Sequence, residues 1–150
     1  MIISGLTLLV CCVRNTPAGQ IDLMQKRVDA VERQIDVLYN HDFNYLVGEY
    51  QALDTTVART KDVTNEMWLL QAYLQQFETQ QVVILENVKM SRKQLANLKS
   101  DIKEGRFDDK TMLKYIDDEE KALHQMEAQI KYFQEKFDAQ KEVVKQLRKE

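Results

Sequence analysis

The sequence predicts an all-α protein, and three observations carry that prediction. Four glycines and a single proline, Pro17, punctuate a chain of 150 residues, too few turn formers for the many reversals of a sheet. Charged residues make up 30% of the chain, and both signs are interspersed with Leu, Val, Ala and Gln, a mixture of helix formers. Above all, apolar residues recur at alternating spacings of three and four. That spacing sets them along one stripe of a helix and calls for a helical partner to cover it.

Three such runs can be traced. The first extends from Ile21 to Tyr45 with Asp42 as its one polar member. The second extends from Thr60 to Ile102 and includes Gln81 and Ser91, and the third from Met112 to Leu147 and includes Glu119 and Gln140. These runs predict helices over about 18–51, 55–104 and 109–149. The first helix starts cleanly in this reading, because Thr16 can cap it and Pro17 suits its first position.

The connection between the second and third runs reads Glu104-Gly105-Arg106-Phe107-Asp108-Asp109. Gly105 is suited to the left-handed conformation that closes a helix, and Asp108 to capping the next one. Phe107 then precedes the cap and faces Met112 as a hydrophobic staple. A turn centred on Phe107 pairs Ile102 with Met112, Leu98 with Ile116, Ile84 with Ile130 and Phe77 with Phe137. In the same register each polar core position meets an apolar residue: Glu119 faces Leu95, Ser91 faces Leu123, Gln81 faces Phe133 and Gln140 faces Leu74.

The connection between the first and second runs admits two readings. Asn40, His41, Asp42 and Gly48 are weak helix formers, and Asp54-Thr55-Thr56 offers a fresh cap, which together suggest a break. Alternatively one helix runs from 20 to 104 with a stutter, its stripe carried by Leu46, Tyr50, Leu53 and Val57. Trp68, Leu69, Tyr73, Val82, Val83, Leu85 and Met90 lie off the second stripe, and one partner cannot cover both faces. They favour an antiparallel, coiled-coil-like three-helix bundle in which residues 21–45 lie beside 63–87. Residues 91–123 are then left as a two-helix tip projecting roughly 20 to 25 Å.

Composition bounds function as well. A formal net charge of −3 with no basic block does not offer the electrostatic footprint that nucleic acid requires. The two cysteines, Cys11 and Cys12, are adjacent and sit in the opening stretch, so the body of the chain contains neither a disulfide nor a thiolate metal site.

That opening stretch, IISGLTLLVCCV over residues 2–13, is an apolar run of 12 positions, where a membrane-spanning helix needs about 20. Its length is that of a secretory signal core, although no Lys or Arg precedes it. Leu9-Val10-Cys11-Cys12 resembles the lipobox of bacterial lipoproteins, with an apolar residue three before the modified cysteine and a small one immediately before it. Cys12 fits better than Cys11, which follows Val10. The resemblance implies cleavage before Cys12, lipidation at Cys12, and a location in the bacterial cell envelope facing the periplasm. Several acyl chains would hold the protein where one gives only marginal binding. Residues 1–11 then form a signal or anchor segment, 12–19 a tether and 20–150 the helical domain.

The body offers little for catalysis. It contains no glycine-rich phosphate loop, no HExxH and no CxxC, so the expectation is a non-enzymatic protein without a cofactor. His124 shares a helical face with Glu120 and Glu127, which reads as a solvated charged face rather than a metal site. His41-Asp42 reads as a helix end or irregular turn. Trp68, Tyr73 and Phe77 read as core packing rather than a ligand slot. The functional expectation is a lipid-anchored helical hairpin acting through a protein partner or self-association. Two alternatives stand beside it: a coiled-coil protein resembling the inner-membrane spanins, and a small-ligand bundle with its site near Trp68.

Overall fold

The computed structural model describes residues 16–56 and 61–148, and the lipobox-like segment with Cys12 lies outside them. Every regular element among the described residues is helical: α1 (Pro17–Val37), a π-helical turn (Leu38–Phe43), α2 (Asn44–Thr56), α3 (Lys61–Lys103) and α4 (Asp109–Leu147). Val37 and Asn44, on either side of the π turn, keep right-handed helical dihedrals. The π turn therefore joins α1 and α2 into one rod, and three helices pack against each other.

The first rod begins at a capped turn. The Gly19 N–H donates to Thr16 Oγ1 at 3.1 Å and the Gln20 N–H to the Thr16 carbonyl at 2.9 Å. Pro17 takes the first helical position, where a backbone donor would have no partner.

His41 and Asp42, which read as a helix end or irregular turn, lie in a π turn within a continuous rod. A π turn holds one more residue than an α turn, and the burial pattern shows what that residue accomplishes. Buried positions run Ile21, Met24, Val28, Val31, Ile35 and Leu38, step directly to Phe43, and continue through Leu46, Glu49 and Leu53. The heptad count had placed Asp42 and Tyr45 in the stripe; instead Asp42 is half-buried and Tyr45 is exposed. The extra residue rotates the stripe so that Phe43 enters the core. Its ring stacks on Tyr39 and tilts against Phe77, with centroids 5.2 and 5.4 Å apart.

Helix α2 continues to Thr56, past the expected end at 51 and through the residues that read as a fresh cap, and α3 begins at Lys61. This later boundary changes the partner register, because moving the turn of an antiparallel pair along the chain moves each facing residue twice as far. Residues 21–45 were expected beside 63–87. Instead Asp22 pairs with Lys99, and Asp29 accepts from Arg92 at 2.7 Å.

Contacts divide the described residues into two compact units, one of those up to Val31 with Glu86–Met126 and one of those in Glu32–Leu85 with those from Glu127 onward. In the first unit, Val28, Val88, Leu95, Leu98, Leu123 and Met126 are buried. Arg27 pairs with Glu120 on α4, so α1 packs along the stretch expected to project as a two-helix tip. The tip expectation is corrected by the same register shift.

In the second unit the core is aromatic. Phe77 is fully buried, edge-on to Phe133 at 5.1 Å and to Phe137 at 4.9 Å, geometries that ring quadrupoles favour. The Phe77–Phe137 contact belongs to the register centred on Phe107, and Phe133 comes equally close. Ion pairs tie α4 to the first rod: Lys141 to Asp42 at 2.7 Å and Arg148 to Glu49 at 2.6 Å.

Trp68, Leu69, Val82 and Val83 are not covered, contrary to the expectation that the first helix would bury them. Phe43 of the first rod meets the buried stripe of α3 at Phe77, and Trp68 and Val83 project away from that stripe, with Leu69 and Val82 at its flanks. Trp68 is 68% exposed, which also removes it from the core.

Candidate functional site

The hairpin between α3 and α4 is built from local signals. Gly105 has φ +65°, where a side chain would be strained. The Arg106 N–H donates to the Asp101 carbonyl at 3.0 Å and the Gly105 N–H to the Ile102 carbonyl at 3.1 Å, the paired bonds of a Schellman closure. Asp108 then caps α4 by accepting from the Thr111 N–H at 2.8 Å. These bonds to its carboxylate hold the Asp108 pKa below the usual value. Phe107 directs its ring against Tyr115 at 5.1 Å, one turn beyond the Met112 of the expected staple.

A groove of about 230 Å³ opens beside this turn, lined by Gln94, Asn97, Leu98, Asp101, Phe107, Tyr115 and Glu119. Asp101 is engaged by Arg106 at 3.0 Å. Glu119 is not so engaged: its Oε2 is buried without a hydrogen-bond partner. Desolvation, reinforced by the neighbouring Asp118 carboxylate, pushes its pKa above the ordinary 4.5. The lining offers amide hydrogen bonds, an aromatic edge and one under-satisfied carboxyl. This is chemistry for holding a polar side chain.

Because the folded chain raises this pKa, the protonated form favours folding. Its stability contribution is complete below about 4.5 and is lost as pH rises through the raised folded value. Glu119→Gln should therefore stabilise the chain at neutral pH and flatten this part of its pH dependence. Urea midpoints of the two proteins at acidic and neutral pH measure both effects.

The other polar core positions are distributed between the units. Ser91 is buried in the first. Gln81 and Gln140, in the second, each hold a buried amide oxygen without a partner. Such groups lose their hydration on folding, which costs stability.

His124 does not lie on a purely solvated face. Its Nε2 is 3.1 Å from Glu120 Oε1, and Arg27 pairs with the same carboxylate while approaching His124 Nδ1 at 3.4 Å. A guanidinium thus occupies the position that a metal ion would need, and no group of three or more His, Cys, Asp or Glu suited to a metal occurs among the described residues. His41 is exposed in the π turn while Asp42 is engaged by Lys141. Partial burial works against the charged form of Lys141, yet its hydrogen bonds to Asp42 and Asp138 raise its pKa.

Arg27, Arg92, Lys99, Lys141 and Arg148, cations that tie neighbouring helices together, carry no signal of that role in the sequence beyond their places beside the apolar stripe. No described helix is long and apolar enough to cross a membrane. No protein-family model matches the chain, and neither a curated protein nor a solved structure matches it.

Proposed function

We propose that this chain is a non-enzymatic, lipid-anchored protein of the bacterial envelope, whose antiparallel, coiled-coil-like three-helix bundle acts in the periplasm by binding protein or by self-association. The lipobox-like Leu9-Val10-Cys11-Cys12 supports the anchor. The interaction role rests on one observation: Trp68, Val82 and Met90, on α3, are 68%, 53% and 54% exposed, and large apolar side chains left in water at helical spacing favour a partner.

The polar groups fit the same reading. Arg27, Arg92, Lys141 and Arg148 are engaged with carboxylates of neighbouring helices instead of converging on one reacting centre.

Mass spectrometry of the protein from bacterial membranes tests the anchor. The expected result is an N-terminal peptide beginning at Cys12 and carrying a thioether diacylglycerol and an amide-linked acyl chain, abolished by Cys12→Ser. An unmodified peptide beginning at Met1 would overturn it. A pull-down comparing the parent chain with its Trp68→Ala variant tests the interaction role, and loss of the captured protein with the variant is the expected result.

A further inference from the structure

Opposite the buried stripe of α3, from Trp68 to Val83, lies a face that no described helix covers. Trp68, Leu69, Val82 and Val83 are exposed there to 68, 42, 53 and 40%. Ala72, Gln75 and Thr79 share this side of the helix and are exposed as well. Glu78, at its edge, is the one charged residue in the stretch. Apolar ends around an uncharged middle resemble the centre of an interface more than a solvated surface.

The apolar pairs are placed symmetrically. Trp68 and Leu69 precede the midpoint between Gln75 and Gln76 by the same number of residues by which Val83 and Val82 follow it. A twofold interface brings residue i against j and j against i. An antiparallel second copy would therefore set Trp68 and Leu69 against the partner's Val82 and Val83 at both ends. Ala72 and Thr79 would lie between, where short side chains let the two backbones approach.

We propose that this face binds a second copy of the chain, antiparallel, with the twofold axis beside Gln75. The inference rests on the reading of the chain as an interaction protein, and it names the partner and the surface.

Crosslinking of the full chain carrying Cys11→Ser and Cys12→Ser tests it, with single cysteines introduced by substitution. Gln75→Cys should give covalent dimers with a short thiol crosslinker. Val83→Cys alone should not, because its two copies would lie roughly 22 Å apart along the helices. Mixing the Leu69→Cys and Val83→Cys proteins should give a mixed dimer. Val82→Glu should lower crosslinking at Gln75→Cys by about tenfold and leave a monomer in sedimentation, with unchanged circular dichroism.

Trp68 is the only tryptophan in the sequence, so its emission should shift to the blue as the parent chain is concentrated. Crosslinking at Val83→Cys equal to that at Gln75→Cys would overturn the proposal. So would a parent chain that sediments as a monomer at high micromolar concentration, or a Val82→Glu chain that remains dimeric. A chain acylated at Cys12 yet monomeric defeats this inference and leaves the anchor standing; a dimer without acylation does the reverse.

Discussion

Phe77→Ala should destabilise the chain by about 3 to 5 kcal/mol, as removal of a buried phenyl ring from a packed core does. The ring is fully buried and contacts Phe43, Phe133 and Phe137, which come from the first rod and from α4. No single neighbour can fill the space, because each is held by its own helix. Urea unfolding followed by circular dichroism measures the loss. Leu113→Ala, at a position 55% exposed, should stay within about 0.5 kcal/mol of the parent. Combining Phe77→Ala with Phe133→Ala should cost less than the sum of the two, since the same contact is removed twice. A loss below about 1 kcal/mol for Phe77→Ala would contradict the aromatic core.

Deleting one residue should separate the π turn from every other part of the helices. Removal of the exposed His41 leaves Leu38 and Phe43 on adjacent α-helical turns, so an ordinary helix would carry the stripe without the extra residue. That deletion should leave unfolding cooperative, with stability within about 1 kcal/mol of the parent. Deleting Lys89, exposed in the middle of α3, rotates everything beyond it by about 100°. Several buried residues would then face water, at about 1.5 to 3 kcal/mol each. The sum exceeds the 5 to 15 kcal/mol that domains typically hold, so the chain should not fold. Equal damage from the two deletions would show that the π turn does not set the phase of the stripe.

Local signals explain why the α3–α4 turn was legible from the residues themselves. Gly105 and Asp108 specify a turn through bonds that close within a few residues, and two unbroken heptad runs extend from it. The first rod was harder. Asn40, His41 and Asp42 are poor in helix propensity, yet the rod continues because packing Leu38 and Phe43 on one core outweighs a preference of fractions of a kcal/mol per residue. The groove beside Glu119 was less legible still. Its lining comes from two helices and the turn, and the carboxyl's desolvation depends on what surrounds it.

The helical character of the chain, the helix starts at Thr16 and Asp108, the helix end at Gly105 and the apolar stripe of α3 and α4 are all written in the order of the residues. Each of these follows from periodicity or from hydrogen bonds between near neighbours. The π turn in the first rod, its meeting with α3 at Asp22–Lys99 and Asp29–Arg92, and the exposure of Trp68 emerge only when the helices pack. Those features depend on contacts between residues far apart in sequence. A difference of one residue in a turn changes all of them while leaving local propensity untouched.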